Sequence, residues 1–421
     1  MTANPLVKRI LLFFVALGWS QAEALTPERV AELRNQIREN FFVPNPLPAL
    51  DAKTHRHFAP APGVVTEAVT YATEFGTRVP AILYLPDPLP AGGKIPGFVV
   101  VCGHGGDKYS WYSYFTGVAF ARGGVAVLTY DQAGEGERNS ARASGTREHD
   151  QLKGDAALAR RLCGLMLTDV FQAVSYLAAL PEVDPARIGA GGYSMGSFVL
   201  ALAGAVEPRL TACVLAGGGN LGGPGDYWDS STKTMCQGLP SQSLAFLADR
   251  AATIYALHAA RGPTFIWNGR LDITIVPQKT YEPFFDDLRA RTTQLHGSKA
   301  GVFDYGFQDN TGHRPGFLER PAVLWLANHF GFPNWSEATV RALPTTHIGE
   351  WVEQHHIAAD KTYMVELMEG GTCAIGDHVP GYLHEDLSVF TPTEWEQHKP
   401  ELTFAAWTAA AKSAQAQKTN P

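Results

Sequence analysis

Six short apolar runs punctuate the middle of the chain, and helical patterns separate them. They are "GFVVVC" (97–102), "VAVLTY" (125–130), "RIGAGG" (187–192), "ACVLAG" (212–217), "TFIWNG" (264–269) and "GVFDYG" (301–306). Between them lie stretches such as "YFTGVAFARGG", "DAALARRLCGLMLTDVFQAVSYLAAL" and "SMGSFVLALAGAV". Strands buried on both faces read as continuous apolar runs, and helices between them supply the crossovers of a parallel sheet. The predicted class is therefore α/β: a mostly parallel central sheet with helices on both faces. "VTEAVTYAT" and "VPAILYLP" flank "EFGTR" and predict an antiparallel pair at one sheet edge. In such sheets ligands bind outside the carboxyl ends of the strands. The residues just after each strand are where chemistry is expected.

Ser194 stands at such a place, in "GGYSMGS" between the strand "RIGAGG" and a helix. Gly192, Ser194 and Gly196 form G-x-S-x-G in the strand–turn–helix context that gives the motif meaning. A turn this sharp strains the serine backbone, and glycines two before and two after relieve the crowding. A serine hydroxyl needs a base to become a useful nucleophile. His313 in "DNTGHRPG" follows the last strand and is the best placed of 14 histidines. Asp272 in "WNGRLDITI" follows the strand before it and is the candidate acid that orients the imidazole. Asp226 and Asp229 are the fallback acids. The backbone N–H of Met195 is one expected oxyanion donor. The second is expected from "GHGGDKYS", with Gly106 first and Gly105 next. His104 is expected to buttress that loop. Trp111, Tyr112, Tyr227 and Trp228 are candidates for the substrate pocket, since flat rings with polar edges suit sugar faces or aryl esters. Residues 217–262 are expected to form a small cap.

These residues and the motifs around them carry a resemblance. "CGHGGDK", "YDQAGEGER", "PEVDPARIGAGGYSMGS" and "WNGRLD" are similar to the α/β-hydrolase superfamily. Within it they resemble the branch of acetyl xylan esterases, dienelactone-hydrolase-like proteins and prolyl-oligopeptidase-like catalytic domains. The resemblance covers roughly residues 60 to 331. It implies an α/β-hydrolase fold, with Asp131 fixing the turn of its loop. Arg138 in the same loop is a candidate pocket residue. Dienelactone hydrolases use a cysteine where Ser194 stands, which argues against that activity. The roughly 60 residues before the first expected strand are too few for the propeller of a prolyl oligopeptidase. What the resemblance implies is a serine esterase acting on acylated sugars or polysaccharides. The alternatives are a peptidase or acylaminoacyl hydrolase and, third, a binding module that kept the fold. The ester mechanism requires no cofactor and no metal.

The ends of the chain add further expectations. Lys8 and Arg9 precede "ILLFFVALGW" and then "SQAEA". A short basic stretch, an apolar core and an A-x-A-like site predict a signal peptide over residues 1–24, and so a secreted or periplasmic protein. The apolar run is shorter than the roughly 20 residues a membrane span needs. No membrane association is expected after cleavage. Residues 25–60 read as a helix followed by a proline-rich stretch, 61–331 as the catalytic domain and 332–421 as a C-terminal extension ending in a fraying helix. A formal net charge of −7 argues against a nucleic-acid partner. Five cysteines make no disulfide framework, although Cys236 and Cys373 are a candidate pair.

Overall fold

The computed structural model describes residues 24–91, 93–152, 154–223, 225–274, 281–298, 302–357 and 373–419. The expected signal peptide, save for Ala24, lies outside them. Nine strands form one sheet: β1 (Lys53–Ala61), β2 (Val64–Ala72), β3 (Arg78–Pro86), β4 (Ile95–Val101), β5 (Ala126–Tyr130), β6 (Val183–Tyr193), β7 (Leu210–Ala216), β8 (Thr264–Gly269) and β9 (Asp304–Gln308). Their order is β1-β2-β3-β5-β4-β6-β7-β8-β9. The contacts among β1, β2, β3 and β5 are antiparallel, and every contact from β5 through β9 is parallel. Five of the six apolar runs lie on strands, and the sixth overlaps β9, which starts at Asp304.

The edge differs from expectation. Residues 53–61, read as part of a proline-rich stretch, pair with β2 as an extra outer strand. Its side chains are mostly exposed and include Lys53, His55, Arg56 and His57. A charged edge strand discourages pairing with another chain. A strand this polar carries no apolar run that would mark it in the sequence.

The sheet's alternation sorts its side chains between two cores. Val99 and Val101 of β4 join one cluster, Phe98 and Val100 the other. Helices α1 (Pro27–Asn40), α3 (Ala156–Ala179) and α4 (Met195–Val206) cover the first face, and α2 (Trp111–Arg122) covers the second with residues 320–329. Asp155 caps α3 by accepting the Leu158 N–H. This helix is long and apolar enough to cross a membrane, yet it is packed inside the fold. From β4 the chain passes through α2 to β5 on one side, then through α3 to β6 on the other. That reversal opens the crevice at the carboxyl ends of β4 and β6.

The C-terminal extension is part of this body. Residues 345–347 pair with 373–375 in a small second sheet. The Glu137 carboxylate accepts N–H bonds from Val389 and Phe390, at 3.0 and 2.9 Å. The last helix, Phe404–Thr419, is docked where a fraying end was expected. Phe404, Trp407 and Ala411 recur at helical spacing and are buried, and the Trp407 indole donates to Glu74. Trp407→Ala is expected to lower stability by about 3–5 kcal/mol through the cavity it leaves. Urea unfolding checks this, and a change no larger than a surface substitution gives would mean the helix contributes nothing. The cysteines of the described residues are all free, so Cys236 and Cys373 do not pair. Cys236 is buried, whereas Cys373 is exposed on the small second sheet.

Candidate active site

Ser194 links β6 to α4 with φ 55° and ψ −118°. Side chains rarely adopt this backbone, which costs about 1–3 kcal/mol unless the surroundings impose it. Here they do. The Ser194 N–H donates to the Ala216 carbonyl at 2.9 Å. Its own carbonyl accepts from the Ser197 N–H and hydroxyl, at 2.9 and 2.8 Å. A Cβ on Gly192 would lie 2.5 Å from the Gly196 carbonyl oxygen, and one on Gly196 would lie 2.2 Å from that of Val101. Both glycines of the motif are thus required by the closeness of two backbones.

The candidate acid and base follow β8 and β9. His313 Nδ1 lies 2.7 Å from Asp272 Oδ2. A carboxylate only accepts, so Nδ1 carries the proton and Nε2 is the nitrogen a nucleophile can use. His313 is 2% exposed and Asp272 1%. The second Asp272 oxygen accepts the Thr274 N–H at 2.9 Å. His313 is fixed from behind, with its carbonyl accepting from the Tyr193 hydroxyl and from Arg314, at 3.1 and 2.7 Å. Gly217 lets the ring approach: a Cβ there would sit 2.9 Å from His313 Cε1. The fallback acids are used elsewhere. Asp229 pairs with Arg250 at 2.7 Å, and Asp226 caps its own loop.

Ser194 and His313 line one cavity of about 610 Å³ at the carboxyl ends of the strands. The loop after β4 forms its neighbouring wall. Met195 opens α4, so its N–H has no acceptor within the helix. Gly106, expected as the first donor of the loop, gives its N–H to the Gly103 carbonyl at 2.9 Å. That bond closes a turn over His104 and Gly105. Gly105 has φ +84° and is the donor candidate outside the closing bond. The Tyr112 hydroxyl accepts the Gly103 N–H at 3.0 Å and props the same turn. Lys108 anchors the loop below, paired at 2.5 Å with Asp131 and 2.9 Å with Glu137 in full burial. Asp131 is thus the turn-fixing residue that the resemblance implied. His104 buttresses the loop as expected, with Nε2 3.1 Å from Asp150 Oδ1. Behind it, burial together with His104 pushes His149 down to about 4, so that imidazole is neutral near pH 7.

Trp111, Tyr112 and Tyr227 line the cavity, but Trp228 does not. Its ring is fully buried and stacked on Phe198 at 4.9 Å between centroids. Neighbours in sequence here point to opposite sides. Arg138 is also withdrawn, paired with Asp169 at 2.5 Å in the core. The expected cap contributes Tyr227, Lys233 and Gln237 to the rim. Several wall residues are not evident from the sequence, among them Arg147. Tyr382, Leu383 and His384 come from the C-terminal extension, and Tyr109 stacks on His384 at 3.6 Å. Nothing in their local sequence signals this. Arg314, beside His313 in "GHRPG", could have been suspected from its position alone.

Comparison with known proteins agrees with this fold. Residues 98–385 match the model of the family described as "Alpha/beta hydrolase family". "Putative hydrolase YtaP" of Bacillus subtilis (strain 168) is 31% identical over 91 residues, which are 22% of this chain and 29% of that protein. The matched stretch thus spans about three tenths of this curated relative. Among solved structures, "Methylesterase BT1017" superposes with a TM-score of 0.59 and 17% identity, covering 94% of this chain and 76% of that one. "Glucuronoyl Esterase from Solibacter usitatus" gives 0.52 and 15%, covering 74% and 93%. At these identities the likeness is one of fold. The family match spans well over half the chain, from β4 through the elbow serine, the aspartate and the histidine, and the chain belongs to the alpha/beta hydrolase family.

Proposed function

We propose that this protein is a serine carboxylic ester hydrolase, exported by its N-terminal segment, that acts on esters of sugars or polysaccharides. The observation that carries the reading is that His313, paired with the buried Asp272, lines the same cavity as a strained Ser194. Ser194 Oγ attacks the ester carbonyl while His313 Nε2 takes its proton. Asp272 holds the imidazole in the tautomer this needs and stabilises the imidazolium. The N–H groups of Met195 and Gly105 face the charge that develops on the carbonyl oxygen. The alcohol leaves with the proton from His313, and water then repeats the sequence on the acyl-enzyme.

A further observation narrows the substrate. Arg147, Lys233 and Arg314 line the cavity, opposed by Asp107. Asp107 is buried, and burial raises its carboxyl above the usual range. A wall of this sign favours a substrate that carries a carboxylate beside the ester, such as a uronic-acid polymer.

Purified chain tested on acetylated xylan, methyl-esterified polygalacturonate and peptidyl anilides is expected to turn over the esters and not the anilides. KM for the acidic ester should rise with ionic strength, while that for a neutral ester stays level. Turnover confined to peptidyl substrates would replace this reading with the peptidase alternative.

A further inference from the structure

Beside the cavity, four side chains from three loops converge. His104 comes from the loop after β4, His149 and Asp150 from the turn Glu148–Gln151, and Cys236 from the turn Thr234–Gly238. One possible ligand atom from each lies within 4.8 Å of all the others. Asp150 Oδ1 is central: 3.1 Å from His104 Nε2, 3.8 Å from His149 Nε2 and 3.9 Å from Cys236 Sγ. Bonds of about 2.0–2.3 Å to a tetrahedral Zn²⁺ place donor atoms about 3.3–3.8 Å apart. The widest edge would need to close by about 1 Å.

The tautomer of His149 is an independent sign. Its Nδ1 lies 3.0 Å from the Ala133 carbonyl, which only accepts, so Nδ1 carries the proton and Nε2 a lone pair. His149 is fully buried, and its Nε2 has no hydrogen-bond partner among the described residues. A buried acceptor left unsatisfied calls for a partner. A backbone carbonyl behind the ring is the support that metal-bound histidines ordinarily have. Lys233 approaches the other Asp150 oxygen, Oδ2, at 3.5 Å and leaves Oδ1 to the cluster.

We propose that His104, His149, Asp150 and Cys236 bind one Zn²⁺, or a divalent ion of the same preference, as a closed four-ligand site. Thiolate and imidazole donors favour such ions over Mg²⁺ and Ca²⁺. Binding releases the thiol proton of Cys236 and requires His104 to carry its proton on Nδ1. The ion ties together three walls of the cavity and holds the turn that presents Gly105. It positions that turn and does not meet the ester.

The test uses the full purified chain, stripped by a chelator and titrated with Zn²⁺ and with Co²⁺. One ion per chain is expected, with a thiolate-to-cobalt charge-transfer band and a higher Tm. Cys236→Ser and His149→Gln should each weaken binding about 100-fold or more. The band should vanish in Cys236→Ser and survive in Cys373→Ser. Absence of stoichiometric uptake by the folded wild-type chain overturns the proposal. So does undiminished binding in both variants, or a band that persists without Cys236. If the variants do not fold, the wild-type cobalt band alone decides, its presence supporting the site and its absence overturning it. Metal uptake is read directly, so the outcome does not depend on which ester, if any, the protein cleaves.

Discussion

Ser194→Ala is expected to lower kcat for an ester such as p-nitrophenyl acetate by about 10⁶-fold, leaving the fold intact. The size is that of removing the nucleophile from a hydroxyl–imidazole–carboxylate unit, where the members act together. Alanine removes one oxygen and keeps the Cβ, so it meets the same backbone constraints at φ 55° that serine meets. The hydrogen bonds that impose the elbow are made by main-chain atoms of residue 194 and survive the change. His313→Ala should cost a similar factor, and the double variant little more, because either loss already disables the unit. Steady-state rates and circular dichroism check this. A folded Ser194→Ala protein with near-normal turnover would place the nucleophile elsewhere. A wild-type chain inert to every ester would favour the binding-module alternative.

Asp272→Asn is expected to lower kcat by about 10⁴-fold with little change in KM. The two side chains have nearly the same shape, so the His313 ring keeps its place. What changes is the proton. An amide nitrogen facing Nδ1 at 2.7 Å forces the hydrogen onto Nε2, the nitrogen that must accept from Ser194. The rate loss therefore arises in chemistry and not in binding. Asp226→Asn should leave kcat nearly unchanged, since that carboxylate caps the loop around Gly222 and Asp229. If the two variants behaved the other way round, Asp226 would be the orienting acid.

Much of this was open to reading in the chain itself. Each buried parallel strand is an apolar run, because both of its faces meet helices. The elbow was visible because two backbones that nearly touch admit only glycine at residues 192 and 196. The aspartate and histidine follow β8 and β9 in the order that a sheet wound this way produces. Other features were hidden for physical reasons. β1 is polar because it is an edge. Trp228 and Tyr227 are adjacent, yet one packs on Phe198 and the other faces the cavity. The Gly106 N–H is taken by a turn that the glycine pattern does not reveal.

The chain alone was enough for what depends on short range: the strand–turn–helix at Ser194, the α/β class, and the order of Ser194, Asp272 and His313 after their strands. Sterics and periodicity act over a few residues, so a few residues suffice to reveal them. The remaining walls and supports of the cavity were set by the tertiary structure. The Tyr382–His384 wall, the Glu137 carboxylate that holds Val389 and Phe390, and the cluster of His104, His149, Asp150 and Cys236 join segments far apart along the chain. Such contacts arise from the way the sheet brings its loops to one end, and no local pattern of residues encodes them.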